Sequence, residues 1–133
     1  MDAPAGYSVL PDQGSFLEHV GPLHVADDDG RPVFGLRIEE RHLNARGTVQ
    51  GGLLSTLADI ALSRGIAHEA EDDRGRATVS LTVDFLAAAQ VGDWLEARTR
   101  VDRVGGSLAF ADCSVRTGER EVVRARAVFV AVD

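Results

Sequence analysis

The chain has 133 residues, 44% of them hydrophobic and 26% charged, with one Trp, one Tyr and five Phe; this profile excludes an intrinsically disordered chain and fits one globular domain with a core of Val, Leu and Ala. Net charge is −7 and all 14 basic residues are Arg, which argues against non-specific nucleic-acid binding, so an anionic ligand would have to be met locally by a few guanidinium groups or by helix N-terminal amides. Cys113 stands alone, which excludes an intrachain disulfide and a cysteine-based metal site; no apolar run approaches the roughly 20 residues of a membrane span and no export signal opens the chain, so a cytoplasmic location is expected.

Residues 1–14 contain Pro4, Gly6 and Pro11 with little periodicity and predict a flexible leader ahead of a single domain over residues 15–133. Phe16, Leu17 and Val20 predict a short helix with Ser15 as N-cap and Gly21-Pro22 as its stop. A strand over Leu23 to Ala26 and a turn from Asp27 to Pro32 follow. Val33 to Glu39 alternates, with Phe34, Leu36 and Ile38 on one face and Arg37 on the other, as a half-buried strand does. From Gly51 to about His68 the chain is apolar apart from the stripe Ser55, Asp59 and Ser63 at helical spacing, which predicts a long helix buried by its neighbours. Four strands are then expected, over Thr78 to Ala87, Trp94 to Val104, Ser107 to Arg116 and Glu121 to Val132. The turn signals Val91-Gly92-Asp93, Gly105-Gly106 and Thr117-Gly118-Glu119 separate them and suggest one four-stranded antiparallel meander. One apolar helix beside such a sheet is best buried if the sheet curls around it, an α+β arrangement.

Two features of these residues carry chemistry. Gly51 and Gly52 open the long helix, where amides lack intrahelical partners and the macrodipole is positive, so a carbonyl gaining negative charge would be stabilised there; the same pair also permits a tight loop-to-helix turn. Asp59 sits among Leu57, Ala58, Ile60, Ala61 and Leu62, where a carboxylate must be paired or functional, and burial is expected to raise its pKa.

The segment His42-Leu43-Asn44-Ala45-Arg46-Gly47-Thr48-Val49-Gln50-Gly51-Gly52 resembles the H-x-N-x-x-G-x-x-H-G-G pattern of the PaaI-like branch of hotdog-fold acyl-CoA thioesterases, in which a helix carrying a catalytic Asp follows. Asp59 falls at the matching place. The resemblance runs on through Thr78 to Leu86, the Val91-Gly92-Asp93 turn and Gly105 to Phe110, and covers nearly all of residues 15–132. It departs at Gln50, where the family has His, and at Ala87-Ala88-Ala89, where the family has Arg-Pro; a neutral amide at position 50 cannot become a cation.

The resemblance implies a hotdog fold, a curled antiparallel sheet wrapped around one long central helix. It also implies hydrolysis of an acyl-CoA or aryl-CoA thioester to the acid and CoA, with no metal or organic cofactor, the Asp59 carboxylate either attacking the carbon or activating water. Asn44 would orient the loop or the water, with an ordinary turn role as its alternative. Gln50 would donate to the thioester oxygen or position the loop, and Thr78 would help hold the water. His42 belongs to the family loop, which it braces beside the substrate. Arg46, Arg64 and Arg103 are candidates for meeting the CoA phosphates. A non-catalytic acyl-CoA-binding module of the same fold is the alternative function. Geometry adds one expectation: eight residues separate Gly51 from Asp59, about 12 Å along a helix, so both act on one carbon only if two chains contribute, as in a symmetric homodimer or a dimer of dimers.

Overall fold

The computed structural model describes residues 2–132. Helix α2 (Gly51–Ala70) is its axis, with Leu53, Leu54, Leu57, Ala58, Ala61, Leu62 and Ile66 buried. Seven strands wrap around it: β1 (Ser8–Val9), β2 (His24–Asp28), β3 (Arg31–Arg37), β4 (Gly75–Phe85), β5 (Trp94–Val104), β6 (Leu108–Thr117) and β7 (Arg120–Val132). They form one sheet in the order β1-β2-β3-β5-β6-β7-β4, every pair antiparallel. The fold is the hotdog fold.

The face turned to α2 is built in rows. Phe34, Ala97, Val115, Val123 and Phe85 lie side by side across five strands, and Phe129 sits opposite both Ala109 and Thr78 further along. Between these rows the buried residues Ala111, Cys113, Ala125 and Ala127 are small, which lets the helix approach the sheet closely. Gly65 is one such close approach, because a Cβ there would lie 2.8 Å from Thr99 Cγ2. Side chains stacked at this density leave no room for an added methyl.

Three expectations need correction. The last four strands do not form one meander: β5, β6 and β7 do, but β4 pairs with β7 and closes the sheet at the far edge. The cause is the link over residues 86–93, which is no hairpin. The Leu86 amide donates to the Val122 carbonyl, Ala89 is buried, and Gly92 and Asp93 bond to Ile38, so the chain crosses to enter beside β3. Nor are residues 2–14 a flexible leader: β1 extends the sheet, Leu10 is buried, and Gln13 clamps the chain by donating to the carbonyls of Leu10 and Leu23 while accepting from the Leu23 amide. Tyr7 packs edge-on to Trp94 and donates to Glu96 at 3.0 Å, and burial pushes its phenol up to about 12. A two-residue strand and a side-chain clamp leave no periodicity to read. Finally, helix α1 (Ser15–Val20) includes Ser15, and its N-cap is Gly14 at φ 86°, with no side-chain cap.

Candidate active site

Asp59 lies half-buried in the middle of α2, on the outward stripe with Ser55 and Ser63. The hydroxyl of Thr78 on β4 donates to its Oδ1 at 2.7 Å. A bulge makes this contact. Leu81, Val83 and Phe85 pair with Ala127, Ala125 and Val123, so strict alternation would turn Val79 toward the helix; instead the register slips between Thr78 and Ser80, and Thr78 pairs with the buried Phe129. The extra residue, Val79, is left exposed, and the local twist that bulges introduce aims Thr78 at the carboxylate. The pattern of the sequence holds no trace of this slip.

At the other end of the polar stripe, α2 begins. Its N-cap is Gln50, exposed and without a side-chain cap bond. The amides of Leu53 and Leu54 both donate to the Gln50 carbonyl, whereas those of Gly51 and Gly52 meet no acceptor among the described residues. Two amides at the positive end of a helix dipole are therefore without an acceptor, the arrangement that can hold an anionic or polarised oxygen. The two glycines differ in surroundings. A Cβ on Gly51 would meet the Phe85 ring at 3.3 Å, whereas a Cβ on Gly52 would find only Gln50 Cγ at 4.0 Å.

The loop before α2 holds itself together. Asn44 Oδ1 accepts from the amides of Arg46 (2.9 Å) and Thr48 (3.2 Å), and its Nδ2 donates to Thr48 Oγ1 at 3.0 Å. Backbone bonds between Asn44 and Thr48 and between Asn44 and Gly47 close the turn, and the Gln50 amide donates to the His42 carbonyl. Both ends of the Asn44 amide are thus engaged in shaping the loop, the ordinary turn role. His42 is 3% exposed; its Nδ1 accepts from the Glu39 amide at 2.9 Å, so its Nε2 carries the proton and donates to the Val20 carbonyl at 2.6 Å. Buried and fully bonded, His42 ties the loop to α1, and it also lines a hollow shared with Gln50 and Gly52. Arg41 reinforces the tie by donating to the carbonyls of His19 and Gly21, and its guanidinium holds the Glu39 carboxyl below the usual range.

The structure therefore brings Asp59 and Thr78 together, and gathers Asn44, His42, Gln50, Gly51 and Gly52 at the start of α2. Of the three arginines, Arg64 donates to the Asp12 carbonyl at 3.1 Å, and Arg46 and Arg103 are exposed; none is drawn into either group. Among the described residues no set of three His, Cys, Asp or Glu side chains could hold a metal ion, and no helix is long and apolar enough to cross a membrane. Sequence reasoning passed over Phe85 and Phe16. Phe85 touches Gly51, and Phe16, though 61% exposed, lines a hollow beside Gly52; an apolar residue on a strand or short helix reads first as core.

Comparison with known proteins identifies a family and a shared fold. The model of the family described as "Thioesterase superfamily" matches residues 46–124. A Pseudomonas aeruginosa protein named "Putative esterase PA0474" is 44% identical over 130 residues, covering 97% of each chain. Among solved structures, the PaaI protein of E. coli superimposes with a TM-score of 0.80 at 20% identity, over 92% of this chain and 87% of that one. The BH2602 protein of Bacillus halodurans, solved with CoA, gives 0.82 at 19% identity, over 92% and 82%. The family match spans more than half of the residues, the shared fold extends over nine-tenths of them, and the chain belongs to the thioesterase superfamily.

Proposed function

We propose that this protein hydrolyses acyl-CoA or aryl-CoA thioesters to the carboxylic acid and free CoA. The observation that carries the proposal is the bond between Thr78 and Asp59: a carboxylate half-buried in the middle of α2, with one oxygen held by a hydroxyl at 2.7 Å. In this reading Asp59 accepts the proton of the attacking water, the carbonyl oxygen gains charge against the amides of Gly51 and Gly52 with Gln50 donating beside them, and the C–S bond breaks as the sulfur takes up a proton. Asn44 and His42 keep the loop in shape. Exposed Arg46 and Arg103, with Arg64, are proposed to meet the CoA phosphates; BH2602, which shares the fold, was solved with CoA.

Asp59 and the amide pair are about 12 Å apart along α2, too far to act on one carbon. We therefore assign each site to two chains, Asp59 and Thr78 from one and the opening of α2 from its partner. The β4 edge supports this assembly, because Val79 and Phe85 on that strand, and Leu86 just after it, are more than half exposed and the strand has an unpaired side, a combination that calls for cover.

Gln50 favours a second reading, a module that binds acyl-CoA without cleaving it, since a neutral amide stands where the family pattern has His. One experiment separates the two. Purified protein is given short-, medium- and long-chain and aromatic CoA thioesters, and thiol release is followed at steady state. Turnover of at least one class is expected; saturable binding with no thiol released from any would establish the module instead.

A further inference from the structure

The hollow beside Gly52 carries more than the chemistry of cleavage. It is a half-open cavity of about 320 Å³ whose apolar walls are Phe16 and Val20 of α1 and Leu53 of α2, and whose polar lining includes Arg41, His42 and Gln50. Phe16 is 61% exposed although its helix neighbour Leu17 is buried; α1 therefore keeps its largest side chain out of the core and beside the unpartnered amides. The placement is fixed, because the bonds of His42 and Arg41 to the carbonyls of Val20, His19 and Gly21 moor α1 to the loop that ends at Gln50. Apart from the neutral Gln50 amide, the polar side chains that line the cavity are engaged elsewhere. The Thr56 hydroxyl donates to the Gly52 carbonyl at 2.9 Å, the His42 ring has both nitrogens bonded, and Arg41 is paired with Glu39 at 2.6 Å. No free charge faces a ligand there.

We infer that this cavity receives the acyl group, that Phe16 sets which acyl groups fit, and that the substrates are CoA thioesters of compact, uncharged acyl groups. The inference rests on the proposed thioesterase reading for the position of the thioester at Gly51 and Gly52. Size and polarity narrow the class. A closed cavity of roughly 150 Å³ takes one benzene ring, so this one accommodates a single ring with its linker or a short chain and leaves most of a long fatty acyl chain outside. A terminal carboxylate would be stripped of water against a wall whose one cation, Arg41, is already held by Glu39 and the carbonyls of His19 and Gly21.

Binding of S-alkyl-CoA thioethers, which lack the scissile carbonyl, tests this without depending on turnover. Affinities of CoA and its ethyl, hexyl, hexadecyl and 5-carboxypentyl thioethers are measured calorimetrically for the native protein and for Phe16→Ala, with thiol release from the matching thioesters followed in parallel. Because Phe16 is mostly exposed, the variant should keep its melting temperature; Phe16→Leu, which restores part of the apolar wall, is the second variant. In the native protein affinity should rise from ethyl to hexyl, gain nothing further at hexadecyl, and return to that of CoA at carboxypentyl. Phe16→Ala should weaken hexyl-CoA about tenfold, the share of an aromatic contact, without changing the affinity for CoA, and Phe16→Leu should fall between. Equal length dependence in native protein and Phe16→Ala would overturn the assignment even if every thioester were hydrolysed. Absence of hydrolysis with the predicted binding pattern would overturn the thioesterase reading and leave the acyl cavity standing.

Discussion

Asp59 and Thr78 are 19 positions apart in the chain and meet at 2.7 Å, and each is accessible to sequence reasoning for a different reason. Asp59 stands out because a carboxylate among leucines and alanines has to be accounted for. Thr78 stands out only through the family resemblance, since a β-branched residue in a strand is commonplace. Their meeting is not legible, because the bulge at Val79 shifts one residue without altering composition. In the proposed mechanism Asp59 activates water and Thr78 positions it. Asp59→Asn is expected to lower kcat by at least about 100-fold, the usual scale for a lost general base. Thr78→Val, which keeps the shape but removes the donor, should cost about tenfold, the scale of one hydrogen bond to a charged group. Circular dichroism and sedimentation should be unchanged in both. Native rates in Asp59→Asn would remove that residue from the reaction.

At the scale of elements, the strongest periodicities give the firmest results. Helix α2 and strand β5 occur where the apolar pattern places them, and β6 and β7 follow their glycine turns within a residue. Strand order is different, because turn residues report only the next chain reversal. Gly105-Gly106 and Gly118 join true neighbours, while residues 86–93 carry the chain across the molecule, and their backbone bonds to Val122 and Ile38 connect residues far apart in sequence. Gly65 shows how packing overrides local preference. In a helix, Gly→Ala normally stabilises by about 1 kcal/mol, yet here the new methyl would meet Thr99 at 2.8 Å with the inner face of the sheet behind it. Gly65→Ala is therefore expected to destabilise the fold by about 1–3 kcal/mol, read as a lower urea midpoint with an unchanged m-value. A raised midpoint would show that Thr99 can yield and that the helix is not held so closely.

At the scale of the whole molecule, the proposed mechanism needs two groups of residues that lie too far apart on one chain to act together. The amides of Gly51 and Gly52 open at one end of the polar stripe and the Asp59–Thr78 pair lies eight residues away, while the β4 edge leaves Val79 and Phe85 uncovered. In the proposed mechanism a second copy covering this edge joins the two groups, since the rise of an α-helix over eight residues puts them about 12 Å apart on one chain. The mechanism depends on this claim. Two variants test it: Asp59→Ala, which removes the carboxylate, and Asn44→Ala, which removes three hydrogen bonds that shape the loop before the amide pair. Each is expected to be inactive alone. When the two proteins are mixed and subunit exchange is verified with a tag on one of them, every mixed dimer contains one site with both defects and one with neither. Thiol release should then reappear, approaching a quarter of the native rate for equal mixing, since about half of the dimers are mixed and each has one intact site of two. Persistent inactivity after proven exchange would place Asp59 and the opening of α2 in separate sites and contradict the two-chain mechanism.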